Sequence, residues 1–356
     1  MSENAIDDTG EIAIRREGCA GRITLQRPEA LNALSYDMVR AISAALRGWA
    51  DDDAVRLVIL DAAGERAFCA GGDIADMYRT GKAGDFAYGQ RFWRDEYRMN
   101  AQLARFPKPV VAFMQGFVMG GGVGVACHGS HRIACDSTKV AMPECAIGLV
   151  PDVGGSLLLA RAPGRLGAYL GTTGYRMNAA DAIYAGFADY HIASSHWPEL
   201  IDALCQSGDV GLIEAAASTP GAAPLAAAQA EVDAYFSGQT LADILDALGQ
   251  GADTSFNAGA RKKLGQMSPL SLACAVEIGH RLRGQEAHIE TALDLEYRFV
   301  ARSMAQGDFL EGIRAAIIDK DRNPRWRHAL HAVTDADVSA MLEPLGAAAL
   351  DLEDTA

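Results

Sequence analysis

Short alternating runs of apolar and polar residues open the chain. Residues 12–16 (IAIRR) and 21–25 (GRITL) flank Glu17-Gly18 and predict two strands joined by a turn. The period then changes. Val39, Ile42, Leu46 and Trp49 recur three and four apart, which predicts a helix with one buried face, capped by Ser35 and running to about Asp51. Apolar strands follow at Val55–Leu60 (VRLVIL), ended by Asp61 and the Gly64 turn, and at Pro109–Met114. Ile133–Cys135 and Lys139–Met142 read as shorter strands. Strands alternating with helices predict an α/β core with parallel pairing. The spacing is too irregular to define a sequence repeat.

The pattern shifts after about residue 200. Ala215–Glu231 is low in complexity, carries Pro220 and Pro224, and reads as a loop or linker followed by a helix. Beyond it helical periodicity dominates, at Leu270–Leu282 after the Ser268-Pro269 start, at Ala292–Met304, and at Val333–Leu345. The expected organisation is an α/β core at 11–200, a helical C-terminal region at 201–345, and a disordered tail at 346–356.

Composition narrows the class. With 356 residues, 49% hydrophobic and 22% charged, the chain is an ordinary folded one that can bury a sizeable core. A formal charge of −14 argues against a nucleic-acid partner, which would demand clustered Lys and Arg. Seven Cys, an odd number without any CxxC pair, argue against a disulfide framework. The first eleven residues, MSENAIDDTGE, resemble neither a secretory signal nor an Arg-rich transit peptide, so a cytoplasmic location is expected. Pro109–Cys127 reaches the length of a membrane span, but its five glycines suit a buried strand, a turn and a close-packed helix. No membrane partner is expected.

Three segments could carry chemistry. Phe68-Cys69-Ala70-Gly71-Gly72-Asp73 follows a strand and precedes a helix, so its glycines can leave N–H groups facing a ligand. Met119-Gly120-Gly121-Gly122-Val123-Gly124 stands at the mouth of the next long strand and is neither a dinucleotide fingerprint nor a P-loop. Alone, each has a plain structural reading, as a strand-to-helix turn or as close helix–strand packing. Together they suggest two N–H groups aimed at one oxygen, an oxyanion hole. In the third segment Glu144 lies in an apolar run between Met142 and Ile147, where an acid is either paired or raised in pKa, and so is a candidate base. Asp152 follows on a Pro-Asp-Val-Gly-Gly turn, where the competing reading is a helix N-cap.

AFCAGGDI, MGGGVG, AMPECAIGLVPDVGG, RPEALNAL, MSPLSL and GDFLEGIRAAIIDKDRNPRW together resemble the crotonase (enoyl-CoA hydratase/isomerase) superfamily, over about residues 11–345. The PDVGG turn and the Ile-Asp-Lys-Asp segment resemble its thioester-hydrolase branch. The resemblance implies a crotonase-like spiral of ββα units that binds acyl-CoA. It implies that Gly72 and Gly121 supply the N–H groups for the thioester oxygen and that Glu144 is the catalytic glutamate. Asp152 and Glu96 would stand near the acyl group, and Asp73, beside the first glycine turn, would also contact the substrate. By its own pattern, Glu96 in FWRDEYRMN looks like an exposed helical acid. Hydratases of the superfamily carry a glutamate at the position of Gly124, so its absence disfavours water addition across a double bond. The implied activity is hydrolysis of a short-chain 3-hydroxyacyl-CoA thioester of valine breakdown, with 3-hydroxyisobutyryl-CoA as substrate, no cofactor beyond the substrate's own CoA, and no metal. A homo-oligomer is left open. The alternatives are a hydratase or isomerase on the same fold, or a non-catalytic acyl-CoA-binding protein.

Weaker features remain. His128 and His131 lack a third metal-type ligand and read as structural histidines. No GxSxG elbow is present. Cys69 and Cys145 flank the candidate site and read as small buried residues before they read as nucleophiles. Lys320, Arg322, Arg325 and Arg327 form a basic run whose default reading is a solvated helix end; with Arg27 they are candidates for CoA phosphate contacts.

Overall fold

The computed structural model describes residues 5–8, 10–284 and 286–353. The chain divides into two compact units, each gathered from separate stretches: 1–72, 98–141 and 176–223 in the first, and 73–97, 142–175 and 224–356 in the second.

The first unit carries the sheets. Ten strands occur among the described residues: β1 (Ala5–Asp8), β2 (Ile12–Glu17), β3 (Ala20–Leu25), β4 (Leu57–Ala62), β5 (Ala67–Cys69), β6 (Val110–Met114), β7 (Phe117–Met119), β8 (His131–Ala134), β9 (Lys139–Ala141) and β10 (Tyr190–His191). Seven form one sheet in the order β1-β2-β3-β4-β6-β8-β10, and β5-β7-β9 form a second. β1, β2 and β3 pair antiparallel, while every later neighbour pairs parallel. Three times in succession a strand of the large sheet is followed by one of the small sheet and then by a helical turn. This is the ββα spiral that the motifs imply, built without a readable sequence repeat.

Parallel strands need cover on both faces, because their crossovers put helices there. Leu57, Ile59, Val111, Phe113 and Ile133 of β4, β6 and β8 pack with Trp197, Leu200, Ile201 and Leu204 of the helix Trp197–Ser207. The Phe113 and Trp197 rings meet edge to face with centroids 5.3 Å apart. The expected N-terminal helix forms at Tyr36–Ala50, Ser35 caps it by accepting from Met38 N–H at 3.2 Å, and Val39, Ile42, Leu46 and Trp49 are all buried. Trp49 lies so close over Gly21 of β3 that a Cβ there would enter its indole. Pro109–Cys127 resolves into β6, β7 and the helix Gly121–Ala126, and among the described residues no helix is long and apolar enough to cross a membrane.

Element ends moved where local hydrogen bonds intervene. β4 starts at Leu57, two residues later than expected, because Val55 N–H closes a turn onto Asp52 O at 2.9 Å. β8 ends at Ala134 because Cys135 N–H turns to Thr138 Oγ1 at 2.8 Å.

The second unit holds helices joined by turns and loops, with no strand among its described residues. The helix Pro269–Leu282 begins at its Ser268 cap, and Ile289–Gln306 is longer at both ends than its apolar pattern suggested. The last long helix is confined to Asp335–Leu342 by a capping box of Thr334 and Asp337. Helices Gly155–Arg161 and Leu166–Thr173 approach so closely that a Cβ on Gly167 would meet the Leu159 carbonyl. Of the tail expected to be disordered, Gly346–Ala348 forms a 3-10 turn, and 354–356 lie outside the described residues. Of the acidic first eleven residues, 5–8 form the edge strand β1, and 1–4 and 9 lie outside them.

Candidate active site

In the first unit, two glycine turns stand at the ends of adjacent parallel strands. β5 ends at Cys69 and leads to Gly71-Gly72; β7 ends at Met119 and leads through Gly120 into the helix starting at Gly121. Cys69 is paired with Val118 in the shared ladder. Gly120 takes φ +50° with ψ −120°, a conformation that excludes a side chain. A Cβ on Gly122 would collide with the Cys69 carbonyl oxygen, so this helix start can lie against β5 only with glycine. The first N–H groups of a helix have no intrahelical acceptor, and Gly121 is the first residue of this one.

The RPEALNAL loop braces the other turn. Leu31 O accepts from Ala70 N–H at 3.0 Å, and Leu34 N–H donates to Gly71 O at 2.9 Å in a bridge between Leu34 and Gly72. Buried Asn32, at φ +54°, ties the loop down: its Nδ2 donates to Ala63 O and Ala67 O, both at 2.9 Å, and its Oδ1 accepts from Arg27 N–H at 2.8 Å. The Arg27 guanidinium donates to Ala33 O at 2.7 Å and pairs with Glu11 at 3.2 Å, so it is engaged in holding the loop.

The carboxylates that the second unit buries include Glu96, Glu144, Asp152 and Glu296, exposed by 3%, 5%, 4% and 0%. The exposed-acid reading of Glu96 is therefore wrong; its face of the helix Ala87–Ala104 is a core face. Glu144 opens the 3-10 turn Glu144–Ile147. Ser268 N–H holds that turn by donating to Cys145 O at 2.9 Å, while Ser268 Oγ donates to Asp308 Oδ2 at 2.7 Å. Gly148, at φ +76°, abuts the Asp308 backbone, and Gly312 abuts the Ile147 carbonyl. The MSPLSL and GDFLEG motifs thus act as anchors for the turn that bears Glu144.

Asp152 does not cap the following helix, whose N-cap is Gly154. Its Oδ2 accepts from the Tyr97 hydroxyl at 2.8 Å. The helix-start donors go instead to Glu296, which accepts from Gly154 N–H at 2.8 Å, from Ser156 N–H at 3.1 Å and from the Ser156 hydroxyl. Tyr97, Glu296 and Ser156 are not visible to motif reading; a buried acid on an otherwise apolar helix face is the signal that could have found Glu296.

Burial dominates the electrostatics. It pushes Glu144 well above the ordinary carboxylate range, and the Asp152 and Glu296 charges add to the push. Glu96 is raised well above its usual value by burial and by Asp152. Burial carries Asp152 to about 7 against the Tyr97 hydrogen bond, which favours its charged form. It carries Glu296 to about 8 despite the Ser156 and backbone donors. Asp152 is in electrostatic reach of the other three, so its ionisation raises the cost of ionising each of them. Glu144 Oε2 is the one carboxylate oxygen of the four that is both deeply buried and without a protein hydrogen-bond donor among the described residues.

Asp73 follows Gly72 and is half-buried. Cys145 is buried with its thiol raised well above the usual range by burial and the Glu144 charge, and it donates to Gly171 O at 3.4 Å. Cys69 Sγ lies 3.5 Å from Gly71 O. His131 stacks on Tyr190, with Nδ1 2.9 Å from Ser130 Oγ. Lys320, Arg322, Arg325 and Arg327 are exposed beyond the helical turn Arg314–Ile318, with Lys320 and Arg322 in left-handed backbone rather than on a helix end. Arg325 and Arg327 are fastened through their N–H groups to Glu311 (2.7 Å) and Asp308 (3.0 Å).

A ββα spiral with glycine turns at neighbouring strand ends is a crotonase-type fold, and the chain belongs to the enoyl-CoA hydratase/isomerase family, whose model matches residues 20–342. It is similar to curated proteins named 3-hydroxyisobutyryl-CoA hydrolase, mitochondrial. Identity is 38% to that of Xenopus tropicalis, covering 99% of this chain and 93% of the relative. It is 35% to that of Homo sapiens, covering 97% and 91%. Among solved structures, one named as an enoyl-CoA hydratase from Rhodobacter sphaeroides 2.4.1 superposes with a TM-score of 0.92 at 56% identity, covering 96% of this chain and 99% of that one. One named as a carnitinyl-CoA dehydratase from Mycobacterium thermoresistibile gives 0.91 at 42% identity, covering 96% and 99%.

Proposed function

We propose that the chain hydrolyses a short-chain 3-hydroxyacyl-CoA thioester, 3-hydroxyisobutyryl-CoA above all, to the free 3-hydroxy acid and CoA. The observation that carries this reading is Glu144, a buried acid with an oxygen that no donor occupies among the described residues, in electrostatic reach of a second buried acid, Asp152. The near full-length likeness to proteins named hydrolases supports it. So does Gly124, which offers no side chain where the family's hydratases hold a second glutamate.

In this reading the amides of Gly72 and Gly121 donate to the thioester carbonyl oxygen and stabilise the charge that develops on it. Ionised Glu144 either takes a proton from the water that attacks the carbonyl carbon or attacks that carbon itself. The tetrahedral intermediate expels CoA as a thiolate, which then takes up a proton. If Glu144 is the nucleophile, the acyl anhydride left behind is opened by water. Either route consumes one water and returns Glu144 to its starting state. Asp152 accepts a hydrogen bond from the substrate's 3-hydroxyl or from the water. Raised carboxylate pKa values suit groups that exchange protons near neutrality.

The test is release of free thiol from 3-hydroxyisobutyryl-CoA. Glu144→Ala should abolish it while the thermal unfolding midpoint stays nearly unchanged; retained turnover would remove Glu144 from the chemistry. A second reading, hydration of an enoyl-CoA, is favoured by the likeness to the 56%-identical structure, which is named as a hydratase. Rapid loss of crotonyl-CoA absorbance without thiol release would put hydration in place of hydrolysis.

A further inference from the structure

The Asp152 carboxylate rests on a turn that two buried groups outside the assigned motifs hold in place. The turn is strained: Val153, a β-branched residue, takes φ +55°, and Gly154 follows at φ +76°. Glu296 offsets that strain by collecting both N–H groups and the hydroxyl that the turn presents, at Gly154 and Ser156. On the acid's other side, Tyr97 is wholly buried and donates to Oδ2 at 2.8 Å. Its ring meets that of Tyr297 edge to face at 6.1 Å, and the Tyr297 hydroxyl accepts from Arg94 at 3.1 Å. Glu296 and Tyr297 are consecutive on the helix Ile289–Gln306, so one helix braces both the turn and the tyrosine. Burial and the neighbouring carboxylates keep the Tyr97 phenol protonated, so toward Asp152 it acts as a donor.

We propose that Tyr97 and Glu296 are positioning residues that aim the Asp152 carboxylate at the substrate's 3-hydroxyl, and that they thereby set a preference for 3-hydroxyacyl over unsubstituted acyl thioesters. The inference rests on the hydrolase reading above. Its physical basis is an asymmetry. A site built to receive a substrate hydroxyl rejects the analogue that lacks it, because the site's own polar group is then left unpaired. That penalty is sharp only if the acceptor cannot swing away to another partner, and a carboxylate pinned on one oxygen, on a turn pinned by a second carboxylate, cannot.

The experiment compares thiol release from 3-hydroxyisobutyryl-CoA and isobutyryl-CoA by the full chain and by Tyr97→Phe. Loss of one charge-assisted hydrogen bond should lower kcat/KM for the hydroxylated thioester by about 10- to 100-fold and change isobutyryl-CoA by less than about threefold, collapsing their ratio. Glu296→Gln should act in the same direction, since its amide nitrogen would face the N–H donors of Gly154 or Ser156. Equal losses on both thioesters, or an unchanged ratio, would reduce Tyr97 to a packing residue and overturn the inference. If Tyr97→Phe unfolds, Ser156→Ala decides: it leaves the two backbone bonds to Glu296, and a ratio equal to the parent's would overturn the proposal. Failure of the parent chain to release thiol from either thioester is a separate result; it would refute the hydrolase reading and this inference with it.

Discussion

Replacing Asp152 with Asn should make the protein more stable at alkaline pH while impairing it as a catalyst. Burial holds the Asp152 carboxyl at about 7, against 3.8 for the free group. Between those values the unfolded chain has released the proton and the folded chain still holds it, so the unfolded state binds fewer protons. Unfolding free energy therefore falls as pH rises from about 4 to about 7 and levels off above. A displacement of roughly three pKa units corresponds to roughly 4 kcal/mol at pH 8. The isosteric amide does not titrate, and its oxygen can still accept from Tyr97, so most of that cost should vanish. Removing the charge should also ease Glu96, Glu144 and Glu296, each of which Asp152 pushes upward. The assay is urea unfolding of parent and variant at intervals from pH 4.5 to 9. The two curves should converge at the acid end and separate progressively, with the variant more stable, toward pH 8. A variant equally or less stable at pH 8, or a parent whose stability rises over this interval, would refute the account of Asp152 as a buried, reluctantly ionised acid.

Two further substitutions probe the two glycine turns. Gly122→Ala would drive a Cβ into the Cys69 carbonyl oxygen, a backbone atom that cannot rotate aside; we expect a loss of about 3 kcal/mol and a fall in kcat as the neighbouring Gly121 amide shifts. Thermal unfolding and thiol release check it, and a fully stable, fully active variant would show that the helix start retreats freely. Asn32→Ala removes donors to one buried and one half-buried carbonyl and an acceptor, at a left-handed position, and should cost about 2 to 3 kcal/mol. A loss below about 0.5 kcal/mol, the scatter of ordinary surface changes, would mean that the loop holds the Gly71-Gly72 turn without it.

Much of this molecule is legible in the chain because it is local. Ser35 capping, the buried stripe from Val39 to Trp49, the strands β2, β3, β4, β6, β8 and β9 and both glycine turns follow from periodicities and backbone preferences within a few residues, whereas β5 and β7, three residues each, are too short to show a period. Pro109–Cys127 could be read as strand, turn and helix because five glycines in the stretch suit that reading better than a spanning helix. Glu144 stands out in the sequence as an acid within an apolar run, whereas Asp152 lies on a turn where a helix N-cap is the competing reading.

The rest depends on which distant segments meet. Glu96 sits in a helix whose pattern is equally consistent with solvent, and only packing makes its face a core face. The donors at the head of the helix Gly155–Arg161 find their acceptor in Glu296, 142 residues downstream of Gly154, so no local capping signal could supply it. Tyr97 reaches Asp152 across 55 residues. A hydrogen-bond partner brought by folding leaves no trace in the spacing of its neighbours, and burial is a property of the assembled chain. Which acids are present, and in what motifs, can be read along the sequence; which of them lose their water, and who then holds them, comes from packing.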